Sequence, residues 1–220
     1  MRRVKHRTIN LTFHGVGEPG RPLEHGEADV WMDDARFHAL LDSAVGRDDV
    51  ALTFDDGNAS DVERALPALT ERGLTATFFV VAGRLGAPRF LDEDGVREIA
   101  AAGMRIGCHG MGHRPWRGLD DGQLDDELIR AREVLEGVVG RPVTTAACPF
   151  GSYDRRVLRT LRVSGYRHVF TSDRGTARPD DFLQTRNSVG PHTDPALIER
   201  LGATDTPLVR RAKLAVKRWR

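Results

Sequence analysis

Short apolar runs alternate with amphipathic segments along most of the chain. The runs predict seven strands, at residues 8–13, 50–54, 75–81, 104–108, 143–148, 168–171 and 182–189. Between them, apolar residues recur at helical spacing, most clearly in residues 33–45 and 121–139. Alternating strands and helices are typical of a parallel sheet, either rolled into a barrel or left open. The pattern alone does not distinguish these two architectures.

Local signals predict where two of the helices begin. Asp154 is placed to cap the first turn of a helix that starts at Arg155. Ser60 and Glu63 have the spacing of a capping box, in which each side chain bonds to the backbone of the other residue. Pro67 follows soon afterwards and predicts a kink or a restart of that helix.

Residue types that bind metals follow directly after two of the predicted strands. Asp55 and Asp56 come after the second strand, and His109 and His113 come after the fourth. One carboxylate and two imidazoles can hold a single divalent ion, which leaves the other carboxylate free as a base. We expect both aspartates to turn toward one cleft, and both histidines to share one face of a helical turn. The alternative is that Asp55 only orients Asp56 or caps the next turn.

At these residues the chain resembles the polysaccharide deacetylase family, also called the NodB-homology domain. In that family a Thr-Phe-Asp-Asp-Gly block, here residues 53–57, supplies first the catalytic base and then a metal ligand. A downstream His-x-x-x-His block supplies the other two ligands. The resemblance therefore implies that Asp55 is the base and that the metal is held by Asp56, His109 and His113.

The resemblance covers about residues 11 to 189 and continues through residues 76–80 and 148–154. It implies an α/β fold, the distorted and incomplete (β/α)7 barrel of the family, with the active site at the carboxyl ends of the strands. Residues 148–154 resemble a third motif that shapes the groove. The residues of that motif that we expect to contact substrate are Pro149, Phe150 and Tyr153.

The activity that the resemblance implies is metal-dependent hydrolysis of a non-peptide C–N bond, most directly N-deacetylation of an amino-sugar-containing glycan. Two alternatives stay open: a small-molecule amidohydrolase of the same fold, and a catalytically inactive glycan-binding domain. Zinc suits an Asp-His-His site, and cobalt, nickel or iron also fits. Trp116 either walls the groove and stacks on a sugar face or packs in the core.

Two departures from the family pattern concern the acid and the partner of the base. No Leu-x-His motif stands on the last predicted strand, so the candidates for the acid are His14, after the first strand, and His192, in a later loop. We expect His14, because the first and last strands of a barrel are neighbours; the alternative is that it only fills a strand end. The arginine that pairs with the base in the family's third motif is missing from residues 146–150. We therefore expect the pKa of the base to be set in another way.

Composition limits the classes of partner and the expected location. The 220 residues carry a net charge of +1, which argues against nucleic acid as a partner. No apolar run reaches the ~18 residues of a membrane span, and the basic start is not followed by the apolar segment of a signal peptide. We therefore expect a cytoplasmic protein. Cys108 either joins the metal as a thiolate or fills a buried strand end.

The end of the chain differs in pattern from the rest. We expect a single domain at residues 1–206 and a basic amphipathic tail at residues 207–220. Its basic residues and Trp219 suit weak contact with the anionic inner face of a membrane; the alternative is a solvated, fraying terminus. Membrane contact would suit a lipid-linked glycan as the N-acetylated substrate.

Overall fold

Seven parallel strands close into a barrel in the computed structural model, which describes residues 7–203 and Lys217. Each strand pairs with the next along the chain, and the last pairs with the first. The strands are β1 (Ile9–Phe13), β2 (Val50–Asp56), β3 (Ala76–Val80), β4 (Arg105–Cys108), β5 (Thr145–Ala147), β6 (His168–Thr171) and β7 (Leu183–Ser188). The (β/α)7 barrel implied by the resemblance is confirmed, and the open sheet is excluded. The barrel is distorted where β4 and β5 pair through Cys108 and Ala146 alone.

Helices follow the strands and bury their apolar faces, as the spacing of apolar residues predicts. Their bounds are α1 (Asp34–Ala44), α2 (Leu66–Glu71), α3 (Glu93–Ala101), α4 (Asp121–Asp125), α5 (Ala131–Val139), α6 (Arg155–Val163) and α7 (Leu197–Ala203). A π-helical turn, Asp126–Arg130, joins α4 to α5. The predicted helix at residues 121–139 is therefore continuous but wound more loosely at its centre.

One of the two predicted helix starts is confirmed and the other is wrong. The Asp154 carboxylate accepts the backbone N–H of Val157 at 2.9 Å, as expected for a cap. Ser60 makes no capping bond, because its hydroxyl instead accepts the N–H of Val16 at 3.3 Å. A π-helical turn at Asp61–Ala65 follows it, and α2 starts afterwards with a proline in its first turn.

Strand alternation separates an apolar outer face from a barrel interior that includes polar and charged side chains. Phe13, Phe54 and Phe78 lie side by side on three neighbouring strands, with ring centroids 5.0 and 4.7 Å apart, and pack under the helices. Since successive side chains point to opposite faces, Thr53 and Asp55 point into the barrel. The Asp55 side chain therefore lies inside the barrel near the carboxyl end of β2, where the candidate site lies.

The predicted tail at residues 207–220 lies outside the described residues, with the exception of Lys217. The ammonium of Lys217 donates hydrogen bonds to the Asp173 carboxylate at 2.7 Å and to the Gly151 carbonyl at 2.9 Å. In the part of the chain that the structure describes, no helix is both long and apolar enough to cross a lipid bilayer. The division into a domain and a tail stays a prediction.

Candidate active site

Asp55 and Asp56 both face one cleft because the backbone changes conformation between them. Asp56 has a φ of 79°, in the left-handed region that residues other than glycine seldom adopt. Its side chain therefore leaves the alternation of β2 and turns to the same side as that of Asp55. Both residues are buried, at 3% and 5% exposure. Backbone strain of this kind is found most often at functional sites.

His109 and His113 come together through a loop, and the predicted helical turn is wrong. The segment after β4 has no helical hydrogen bonds, and His113 itself has a φ of 52°. The buried carboxylate of Glu127 accepts the backbone N–H groups of Met111 at 3.1 Å and Gly112 at 2.9 Å. Through these two hydrogen bonds Glu127 anchors the loop between His109 and His113. The sequence contained a signal for this role of Glu127, since it is a charged residue on the apolar face of the predicted helix at residues 121–139.

The structure places donor atoms of Asp56, His109 and His113 within 4.8 Å of one another. Nε2 of His113 lies 3.1 Å, and Nε2 of His109 3.5 Å, from Oδ1 of Asp56. Nδ1 of His109 donates to the carbonyl of Ala147 at 2.9 Å, so in the neutral imidazole Nε2 is the nitrogen without a proton, and it faces the cluster. Among the described residues, no hydrogen bond of good geometry reaches the buried Oδ1 of Asp56. Two imidazole nitrogens converging on an orphaned carboxylate oxygen fit a divalent metal ion.

Arg186 on β7 is the cation beside Asp55 that the sequence analysis did not find. Its guanidinium donates to both carboxylate oxygens of Asp55, at 2.6 and 2.7 Å, and only 1% of its side chain is exposed. The arginine absent from the third motif is thus replaced by one from another strand. A signal was available: Arg186 is the only charged residue within the predicted strand at residues 182–189.

The charges around the cluster keep both aspartates ionised. Burial raises the pKa of Asp55, but the positive charges of Arg186 and His109 outweigh it and hold the pKa below its ordinary value. Burial also opposes ionisation of Asp56, yet the imidazoles of His109 and His113 hold its pKa well below the usual range. Burial lowers the pKa of His109, but Asp55 and Asp56 raise it further, so the net shift is upward.

Of the two candidates for the acid, the structure brings only His14 to the cleft. His14 follows β1, and β1 pairs with β7 through Thr12 and Ser188, as expected for a closed barrel. The pKa of His14 is lowered, because burial together with the charges of Arg186 and His109 outweighs the carboxylates of Asp56 and Asp55, which raise it. His192 is exposed and does not line the cleft. The position of His14 agrees with the predicted role, which stays a hypothesis.

The third motif contributes one side chain to the cleft and buries the others. Phe150 is 65% exposed, has a φ of 55°, and places its ring centroid 4.7 Å from that of His113. Pro149 is buried beneath it, and the buried Tyr153 donates its hydroxyl to Asp173 at 2.6 Å. The ammonium of Lys217 lies 4.3 Å from the centroid of the Tyr153 ring. Phe150 is therefore presented to the cleft, whereas Pro149 and Tyr153 are buried and do not line it.

Trp116 and Cys108 occupy structural positions rather than the cleft. Trp116 is fully buried and its indole N–H donates to Glu127 at 3.4 Å, so no sugar face can stack on it. Its position therefore does not match the prediction that it walls the groove. It matches the alternative, which is packing in the core. Cys108 is buried, and burial raises the pKa of its thiol to about 11. It is not part of the metal-binding cluster, which agrees with the strand-end alternative.

A loop between β1 and α1 forms one wall of the cleft, and the sequence analysis did not single out its residues. The cleft has a volume of about 340 Å3. Its lining residues are His14, Glu24, His25, Gly26, Glu27, Val30, Asp55, Asp56, His109, His113, Phe150, Ser172 and Ser188. Arg21 anchors this wall, because it pairs with Glu27 and donates to the side-chain oxygen of Asn58 at 2.8 Å. The wall is thus tied to the loop that follows Asp56.

Comparison with known proteins relates this chain to a described family. The family model for polysaccharide deacetylase matches residues 42–169. The chain is 28% identical over 193 residues to YxkH of Bacillus subtilis, covering 81% of this chain and 69% of that protein. It is 27% identical over 124 residues to the peptidoglycan-N-acetylglucosamine deacetylase of Bacillus cereus, covering 56% of each. The fold is similar to that of the Streptococcus pyogenes deacetylase PplD in complex with acetate, with a TM-score of 0.77 and 19% identity over 89% of this chain and 97% of that one.

Proposed function

The chain belongs to the polysaccharide deacetylase family, and on that premise we propose that it is a metal-dependent hydrolase that removes N-acetyl groups from amino sugars of a glycan. The observation that carries the proposal is the convergence of Asp56, His109 and His113 on one point beside the ion pair of Asp55 and Arg186. The match to a peptidoglycan-N-acetylglucosamine deacetylase supports an N-acetylated sugar as substrate.

Hydrolysis of an amide requires a polarised carbonyl, an activated water molecule and a proton for the leaving amine. A divalent ion held by Asp56, His109 and His113 would supply the Lewis acid that polarises the carbonyl and lowers the pKa of water. Zinc suits these ligands, and cobalt, nickel or iron is compatible with them. Asp55 accepts the proton of the attacking water, because Arg186 keeps its carboxyl group ionised.

His14 delivers the proton that the leaving amine needs. It lies in the cleft at the end of β1. Because its pKa is lowered, the imidazole is mostly neutral at neutral pH and must first take up a proton, which the imidazolium then gives up more readily than an ordinary histidine does. Asp55 and His14 therefore divide the two proton transfers of the reaction, the first as base and the second as acid.

Phe150 provides the surface on which a sugar ring can lie. The ring is exposed at the cleft and close to His113, so a sugar stacked on it is held beside the proposed metal position. Aromatic rings combine a large apolar area with little conformational freedom, which suits the apolar face of a sugar. The left-handed backbone at Phe150 fixes the direction of the ring.

The basic tail supports a finer proposal about the substrate and the place of action. The protein acts in the cytoplasm on a lipid-linked glycan, and residues 207–220 contact anionic lipid weakly, with about 1 kcal/mol for each basic residue near the surface. Co-sedimentation with anionic vesicles at low and high salt, using the full chain and a chain truncated after Thr206, tests the contact. Equal binding by both forms would remove the tail from the proposal.

The experiment that tests the main proposal is an assay of acetate release from a panel of N-acetylated saccharides, with and without a chelator. We expect release from at least one saccharide, its loss with chelator, and its return when metal is added. Turnover of a small amide without any release from saccharides would favour a small-molecule amidohydrolase. Saccharide binding without turnover would favour an inactive glycan-binding domain.

A further inference from the structure

The two histidines of the proposed metal site differ in what supports the ring nitrogen that faces away from the metal. Nδ1 of His109 already donates to the Ala147 carbonyl at 2.9 Å. Nδ1 of His113 lies 3.4 Å from Nη2 of Arg84, which is itself a donor. When Nε2 of a neutral imidazole binds a metal, its Nδ1 carries the proton and needs an acceptor. Arg84 cannot be that acceptor.

A carboxylate that can accept this proton lies next to Arg84, on the loop between β1 and α1. Oε2 of Glu24 is 4.0 Å from Nδ1 of His113. Arg84 donates to the other oxygen, Oε1, at 2.6 Å, so the pairing turns Oε2 toward the histidine. The backbone N–H of Glu24 donates to Glu27 at 2.8 Å, which anchors this part of the loop.

We propose that Glu24 is the positioning residue of His113. When Nε2 of His113 holds the metal, the Glu24 carboxylate accepts a hydrogen bond from the Nδ1–H group, and Glu24 also draws Arg84 away from the ring. The inference rests on the proposed function, because it requires a metal at Asp56, His109 and His113. The carboxylate must approach by about 1 Å to reach hydrogen-bond distance from Nδ1. The Glu24 side chain is half-exposed at the cleft, which leaves room for this movement.

Glu24 thereby links the loop that walls the cleft to the affinity for the metal. A carboxylate, a histidine and a metal in series orient the imidazole and increase its basicity. The loss of such a partner weakens metal binding even though the three ligands are unchanged. The same loop lines the substrate cleft, so a substrate that moves the loop also alters the support of His113.

The test is a titration of the metal-free full chain with zinc in competition with a chromogenic chelator, which measures the dissociation constant without an activity assay. Glu24→Leu removes the acceptor, and we expect it to weaken zinc binding by about 10–100-fold. Glu24→Gln keeps an acceptor oxygen and should recover part of the affinity. Glu18→Leu changes the same residue type at an exposed position of the same loop and should bind zinc like the wild type.

The double variant Glu24→Leu/Arg84→Met separates the proposed hydrogen bond from simple repulsion by an uncovered arginine. We expect its affinity to stay low, because the acceptor is still missing. Recovery of wild-type affinity in the double variant, or unchanged affinity in Glu24→Leu, would overturn the role of Glu24 while leaving the metal site intact. If the wild type binds no zinc, or His113→Ala binds it equally tightly, the metal site itself is refuted and this inference with it.

Discussion

Arg186 on β7 forms a bidentate ion pair with Asp55 on β2 across the interior of the barrel. The two residues are 131 positions apart in the chain. Both side chains are almost completely removed from solvent. A lone buried carboxylate would bind a proton and lose its function as a base, because burial favours the neutral form. The pair therefore links the closure of the barrel to the ionisation of the proposed base. It also explains how the chain dispenses with an arginine in its third motif.

Replacement of Arg186 by methionine should destabilise the protein by about 3–5 kcal/mol, because it leaves the Asp55 charge buried without a partner. Urea unfolding at neutral pH measures the loss. In the double variant Arg186→Met/Asp55→Asn no uncompensated charge remains, so we expect it to be more stable than Arg186→Met alone. If the two substitutions were simply additive, the two groups would not be energetically coupled.

Replacement of Asp55 by asparagine should lower the rate of acetate release by about 10²–10⁴-fold, because the amide cannot accept the proton of water. Zinc should still bind, since Asp56, His109 and His113 are unchanged. His113→Ala is the matched variant, and it should lose the metal together with the activity. Steady-state assays and zinc titration give the two measurements. Full activity of Asp55→Asn would exclude this residue as the base.

The role of His14 can be tested with two substrates that differ in their need for an acid. His14→Gln should lower turnover of an N-acetyl amide by about 10²–10⁴-fold, because the amine leaves only after it gains a proton. Hydrolysis of an aryl acetate should change little, since a phenolate leaves without one. His192→Gln, at the exposed alternative position, should leave both reactions unchanged. An equal loss on both substrates in His14→Gln would instead indicate a general effect on the site.

Asp61 should make the protein less stable as the pH rises from acid to neutral. Its buried carboxyl oxygens have no hydrogen-bond partner among the described residues. Burial raises its pKa well above the ordinary value of 3.8, and the charges of Asp56 and Asp55 add to the shift. The contribution of Asp61 to the free energy of unfolding is complete below its ordinary pKa. It is lost as the pH rises through the raised pKa of the folded state. Asp61→Asn removes the titration, so its advantage over the wild type should grow between pH 4 and pH 7.

Urea unfolding of both proteins at the two pH values measures this difference. Asp48→Asn, at an exposed position on the surface, is the control and should show no such growth. An Asp61→Asn advantage that is the same at both pH values would mean that Asp61 does not titrate as its burial implies.

The sequence by itself determined the order of the elements and the residue types of the site. Strand periodicity located all seven strands to within a few residues, and the cap at Asp154 was readable because it depends on a residue three positions away. These features follow from interactions between near neighbours in the chain. The resemblance added the closed barrel and identified Asp55, Asp56, His109 and His113, which the fold then brings to one cleft.

Only the tertiary structure decided which distant residues complete the site. The closure of β7 on β1 brings Arg186 to Asp55 and His14 to the cleft, and neither contact leaves a periodic signal in the chain. The hydroxyl of Ser60, predicted to cap a helix, is taken by Val16 because a loop from β1 passes beside it. For the same reason Trp116 fills the core instead of the groove, and Glu24, which the sequence did not single out, lines the cleft. Whether a side chain lines a cleft or fills a core depends on the elements that pack around it, and those come from distant parts of the chain.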